Sequence, residues 1–203
     1  NADSSLWVKQ MPAMGGLPAE TIRYSYDSWG KLSGVRGTSS ILANTVYSPI
    51  GQLSQFNRLN GSTSSAYSTY GYDPATGAVL SIKDNAVFGG VGHYVADRTY
   101  TRDAVGNVTS ATMSSVLPTE GTQKACYSYD SLRQLTRAWT PNASTACDAA
   151  PSASGMGGFE PYWHEYTYDN ATGNRTGLVK RSTMGTATTA TYTYAAAGGD
   201  RPH

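Results

Sequence analysis

Charge is scarce in this 203-residue chain. Asp, Glu, Lys and Arg make up 14% of it and the formal net charge is +1. A nucleic-acid groove needs a basic stripe, so this balance argues against one. Large aliphatic side chains are scarce too: Leu, Ile, Val and Phe together number 29. With a large net charge that poverty would mean disorder, but here the charge is near zero. No 18-residue apolar run occurs, so no segment reads as a membrane-spanning helix. No basic stretch followed by an apolar one opens the chain. The first residue is Asn1 rather than Met, and the expectation is an internal piece of a longer polypeptide. Only two cysteines occur, Cys126 and Cys147, and no CxxC pair, so the spacing of a zinc site is missing.

What is present fills the gap. There are 15 Tyr, 24 Thr and 22 Gly, and Ser plus Thr reach 47. Tyr and Thr favour strands, and Gly favours turns. The expected class is all-β, turn-dense and polar-faced, with enough length to bury a core.

One short phrase recurs. It reads YSYDSWGKL from Tyr24, YGYDPATGAV from Tyr70, YTRDAVGNV from Tyr100, YSYDSLRQL from Tyr127 and YTYDNATGNR from Tyr166. A worn copy, VYSPIGQL, begins at Val46, and a seventh, YTYAAAGGD, begins at Tyr192 and lacks the Asp. The second aromatic positions fall at 26, 47, 72, 102, 129, 168 and 194, so the steps are 21, 25, 30, 27, 39 and 26. The whole chain, residues 1–203, reads as one array of hairpins, with the variation confined to connections. Residues 140–165 form the longest of these.

Each phrase has a local mechanism. Tyr-x-Tyr puts two rings on one face of a strand. Asp then starts a turn, because its carboxylate accepts from backbone N–H groups two residues on. Gly three residues after Asp suits a type I turn closed by a left-handed residue and a bulge. Asp27 to Gly30 and Asp103 to Gly106 have that spacing. Asp73 to Gly77 and Asp169 to Gly173 carry one extra residue. In the copy beginning at Tyr127, Asp130 is followed by Arg133 where Gly is expected. A non-glycine there costs roughly 1 kcal/mol if the turn is kept, and the favoured expectation is a turn of another type. A lone hairpin is barely stable in water. The seven are therefore expected to pair side by side in one continuous antiparallel sheet.

Tyr-Asp-x-x-Gly-x-Leu repeated in this way resembles the YD repeat of the Rhs family, whose relatives include the BC component of Tc toxins and the teneurins. The match runs from about Tyr24 to Tyr194. The resemblance implies a curved sheet of hairpins, part of a hollow spiral shell which in bacterial members encloses a toxic C-terminal domain. The self-cleaving aspartyl protease core of the family, with its DPxGL-type signature, is not among these residues. The chain then reads as shell wall of a secreted or surface bacterial protein. Its partners would be the rest of its own chain: further repeats, the C-terminal core and the effector. With only seven copies, open sheet edges also invite self-association. If the protein is secreted, a Cys126–Cys147 disulfide follows, contributing about 3 kcal/mol by restricting the unfolded chain. The alternative is two buried free thiols.

The remaining candidates each have a plain reading. His164 and Glu165 are adjacent, which is not HExxH spacing, and in a strand they point to opposite faces. His93 lies in a glycine-rich stretch expected to be a flexible loop rather than a phosphate cradle, and His203 ends the chain. The turn aspartates Asp27, Asp73, Asp103, Asp130 and Asp169 are expected as turn caps, spread over successive hairpins rather than gathered as paired acids. The sequons at Asn60, Asn107, Asn142, Asn170 and Asn174 carry little weight in a Ser/Thr-rich bacterial chain. The aromatics are the feature with binding potential. Trp29, Tyr72, Tyr129, Trp139, Trp163 and Tyr168 either pack across strands or stack on sugar rings. Met156-Gly157-Gly158-Phe159 is a candidate apolar tip inserting into a shell interior. No catalysis, cofactor or metal is expected. The leading reading is a structural shell segment. The alternative is an extracellular repeat module that binds carbohydrate, and a hydrolase would need an acid pair that the sequence does not offer.

Overall fold

The computed structural model describes residues 5–60, 64–115 and 121–195. His203, the tail of the seventh copy from Ala196 onward and the side chain of Asn60 lie outside them. The chain is all-β, built from consecutive antiparallel hairpins. Fifteen strands are present: β1 (Val8–Met11), β2 (Glu20–Tyr26), β3 (Leu32–Arg36), β4 (Ser40–Leu42), β5 (Asn44–Tyr47), β6 (Leu53–Asn60), β7 (Ser64–Tyr72), β8 (Val79–Phe88), β9 (Val91–Arg102), β10 (Val108–Ser115), β11 (Thr122–Tyr129), β12 (Leu135–Trp139), β13 (Trp163–Tyr168), β14 (Arg175–Arg181) and β15 (Ala187–Thr191). The chain divides into two units, Asn1–Asp97 and Arg98–His203, with the division inside β9.

The first unit holds a four-stranded sheet, β1-β2-β3-β4, and a second run ordered β5-β6-β7-β8-β9. The expected single continuous sheet is thus interrupted after the first repeat. The reason is local. Ala43 alone separates β4 from β5 and its N–H bonds the carbonyl of Asn57, so the chain steps from one sheet to the other in one residue. The second unit continues β9-β10-β11-β12-β13-β14-β15, each strand paired to its neighbour in sequence. Neither run closes into a barrel.

The two edges of the strands differ. At one edge lie the Tyr-Asp turns, all of five or six residues between strands. At the other lie connections that range from the two glycines Gly89-Gly90 to the long path from Thr140 to Tyr162. Gly89 (φ 58) and Gly90 (φ 79) make a tight hairpin turn. His93 therefore sits in β9 with its ring 5.9 Å from Phe88, not in a flexible loop. Buried apolar side chains are few and mostly small, in keeping with the composition; the large exceptions are Trp139, Met156, Leu42 and Leu178.

Candidate functional site

The turn aspartates act as caps. Asp27 Oδ1 accepts from the N–H groups of Trp29 and Lys31, and Asp130 Oδ1 from those of Leu132 and Gln134. Asp73 accepts from Ala75 and Thr76, and Asp169 from Ala171 and Thr172. Asp103 accepts from Val105 and Asn107, and its second oxygen takes the Asn107 amide. These bonds hold the carboxyls of Asp73 and Asp169 below their ordinary value, the Thr76 and Thr172 bonds foremost. At Asp103 desolvation pushes upward, but the bonds from Asn107, Val105 and Gly106 outweigh it. Gly30, Gly77, Gly106 and Gly173 all have positive φ, between 71° and 93°. Just before the turn the strand register shifts at Tyr26, Tyr47, Tyr72, Tyr129 and Tyr168, the expected bulge.

Arg133 corrects one expectation. Its turn is not of another type: φ is 63°, and Asp130 N to Gln134 O and Arg133 N to Asp130 O repeat the glycine-bearing pattern. Arg133 is the one non-glycine residue with positive φ among the described residues. The Asp130 cap is kept there as in the glycine-bearing turns. A further turn escaped the sequence reading. Ser182 to Gly185 has the same backbone bonds with Ser182 in the place of Asp, and it joins β14 to β15. A Ser-x-x-Gly spacing was the available signal, also present at Ser48 to Gly51.

The joint between repeats is a tyrosine hydroxyl. Where a phrase has Tyr at its second aromatic position, that Tyr donates to the carbonyl of the residue two places after the left-handed turn residue (Gly, or Arg133) in the copy before; the copy beginning at Tyr100 has Arg102 there instead. Tyr47 reaches Leu32 at 2.9 Å and Tyr72 reaches Leu53 at 2.8 Å. Tyr129 reaches Val108 at 2.9 Å, Tyr168 reaches Leu135 at 2.9 Å and Tyr194 reaches Arg175 at 2.8 Å. Tyr26 makes the same bond to Leu6. Burial holds the phenols of Tyr72, Tyr129 and Tyr168 above their ordinary value, so they stay neutral donors. A second stitch runs from turn to turn: Gln52 Nε2 donates to Gly77 O and Gln134 Nε2 to Gly173 O, both at 3.1 Å.

In the second unit one face carries an extra device. Register places Cys126, Trp139, Trp163 and Arg181 in a row across β11 to β14. Arg181 lies 4.6 Å above the Trp163 ring and grips Glu165 Oε2 through Nε (3.0 Å) and Nη2 (2.8 Å). The path from Thr140 to Tyr162 folds back over this row as a strap. Its base is pinned by Gly157 N to Thr140 O, Asn142 N to Gly155 O and Tyr162 N to Thr140 Oγ1. Gly157 is obligatory there, since a Cβ would lie 2.6 Å from Asn142 Cα. Cys147 in the strap is bonded to Cys126, with Cα atoms 5.3 Å apart. Met156 is buried against Cys126 and Trp139, so the apolar tip packs on the chain's own sheet and does not project into an interior.

These features meet known structures in one place. No protein-family model matches the chain, and no curated protein matches its sequence. Solved structures do. The crystal structure of TcdB2-TccC3-Cdc42 is 25% identical over 87% of this chain, with a TM-score of 0.65. The Photorhabdus luminescens Tc holotoxin pore carrying TccC3-D651A is 24% identical over 94%, with a TM-score of 0.69. TcdB2-TccC3 is 25% identical over 85%, with a TM-score of 0.63. The chain has the Rhs/YD-repeat fold. It spans 9% of the length of each of those chains.

Within the YD-repeat fold the candidate aromatics separate by position. Tyr72, Tyr129 and Tyr168 are joint residues between hairpins, and Trp139, 1% exposed, is the centre of the strapped cluster. Trp163 packs against that cluster. Trp29, 84% exposed, stands at a turn tip. The opposite face of the second unit carries a row of its own. Tyr162 and His164 lie 5.2 Å apart, His164 and Tyr166 6.4 Å, and Arg175 lies between Tyr166 (5.8 Å) and Tyr192 (4.6 Å). Burial pushes the Tyr162 phenol up, helped by its bond with Tyr127. Burial and then Lys180 push the His164 imidazole down. Glu165 lines a groove of about 910 Å³ with Arg137, Ser128 and Thr167. It is the single carboxylate there and is bound to Arg181. Among the described residues no three His, Cys, Asp or Glu side chains gather to hold a metal.

Proposed function

We propose that the chain is a non-catalytic wall segment of a bacterial Rhs-type shell, secreted or at the cell surface, which encapsulates a C-terminal toxin or effector. The observation that carries this reading is the hydroxyl-to-carbonyl joint. Wherever the Tyr is present it ties a repeat to the one before it in the same way whatever the length of the connection, and a wall extended by like joints needs that property. The fold shared with TcdB2-TccC3 structures supports it. The turn aspartates bind backbone N–H groups and Glu165 binds Arg181, roles that are structural rather than those of paired acids. The carbohydrate module is less favoured, because the joint tyrosines are tucked between hairpins rather than open in a groove.

The test is protease protection of the longer polypeptide that carries these repeats. The segment that follows the repeats should survive while exposed loops are nicked. Rapid loss of that segment with the repeats intact would sink the container reading and favour a surface-binding array.

A further inference from the structure

The strap is fastened in two separable ways. Its base, at Thr140 to Asn142 and Gly155 to Tyr162, is held by main-chain pairs just beyond the ends of β12 and β13. Its arm, residues 143–154, is held differently. Backbone bonds within the arm are local: Thr145 N to Asn142 O and Ala149 N to Ala146 O. Among the described residues, contacts of three kinds tie the arm to the sheet. They are the Cys126–Cys147 bond, the Lys124 ammonium donating to Thr145 O at 2.5 Å, and Ala153 against the buried cluster. Only the first is covalent.

The two sulfurs differ in access. Cys126 is 1% exposed, between Trp139 and Met156, whereas Cys147 is half-buried on a polar arm. The indole N–H of Trp139 is buried with no hydrogen-bond partner among the described residues. Hydrating it would offset part of the cost of lifting the arm off that cluster.

We infer that Cys126–Cys147 is a redox latch: a thiol reductant frees the 143–154 arm and lifts Cys147 and Ala153 off the Trp139 cluster, while Met156 and the strands beneath stay paired. The reaction begins at the more exposed cysteine. A reductant thiolate attacks Cys147 Sγ, forms a mixed disulfide with it and expels Cys126 as thiolate. A second thiol, from the same dithiol or another glutathione-class molecule, attacks the reductant's sulfur in that mixed disulfide and releases Cys147. Two electrons pass to the protein. The reductant leaves as its disulfide, and each cysteine sulfur takes up a proton at neutral pH. The expelled Cys126 is 1% exposed beneath the strap, so the two sulfurs can part only if the arm moves aside. Exchange is therefore gated by motion of the arm. The latch concerns the wall alone and holds whatever the wall encloses.

The test reduces the whole folded chain with dithiothreitol, blocks the thiols with iodoacetamide and exposes it to elastase, which cuts beside small residues such as Ala146 and Ala149. The expected result is cleavage in the arm on the order of a hundredfold faster than in the oxidised chain, the scale that closing a loop of this size contributes. The far-UV sheet signal should not change. Cys147→Ser should be cut at the fast rate without reductant. Equal rates before and after reduction would overturn the latch. So would collapse of the sheet signal on reduction, because the bond would then hold the whole unit rather than the arm.

Discussion

The first unit, up to Asp97, and the second, from Arg98, use one joint and two different interiors. Tyr47 and Tyr72 fasten repeats in the first as Tyr129 and Tyr168 do in the second. Beyond that the units part. The first buries polar groups: Arg58 donates to the fully buried Ser68 hydroxyl, which donates to Asp84, and Asn57 is held by Asn44 and Gln55. The second buries a disulfide, an indole and a methionine beneath a strap. The repeat thus supplies lateral cohesion only. What covers a face is added separately, and in this chain the longest connection adds it.

Removing the strapped core should have the largest effect. Trp139→Ala should cost the second unit about 3–5 kcal/mol. Hydrogen exchange should show lost protection in β11 to β13 and unchanged protection in β6 to β8. Equal loss in both regions would end the distinction drawn between the units. The joint should behave alike in both. Tyr72→Phe and Tyr129→Phe should each cost about 1 kcal/mol in urea unfolding, and a difference of more than twofold between them would show that the joint is not a shared element.

A smaller effect separates the turns. Arg133→Gly should stabilise the second unit by up to about 1 kcal/mol, since relief of left-handed strain exceeds the entropy that glycine adds to the unfolded chain. Thermal melting would show it as a slight rise.

The smallest effect is one of pH. His164 is held below its ordinary value of 6.5, so the unfolded chain takes up a proton before the folded one does. Stability of the second unit should therefore fall as pH drops below 6.5, and His164→Gln should flatten that slope. The lowered carboxyls Asp73, Asp103 and Asp169 act with the same sign at lower pH, from 3.8 downward. A slope that survives in the Gln variant would assign the effect to another group.

Much of the fold was legible because its logic is local. Asp, Gly and the bulge at the preceding Tyr lie within seven residues, so the turn could be read from Asp27-Ser28-Trp29-Gly30 alone. The Ser182 turn was passed over because it has neither the Asp nor the Tyr-x-Tyr before it. Arg133 misled because its cost is local while the cap kept at that turn belongs to Asp130. The joint itself could not be read. Tyr168 and Leu135 are 33 residues apart, and no pattern marks a main-chain carbonyl as an acceptor. The strap escaped for a similar reason, since Met156 looks the same in sequence whether it packs on its own sheet or projects from it.

The unequal edges have a consequence for how such a chain can change. The Tyr-Asp edge is fixed to five or six residues per turn, because cap and bulge depend on one another. The opposite edge already tolerates two glycines in one place and a 23-residue path in another. New sequence can therefore be grafted along that margin without altering the strip, and the hairpin tip at Gly89-Gly90 is a natural port for it.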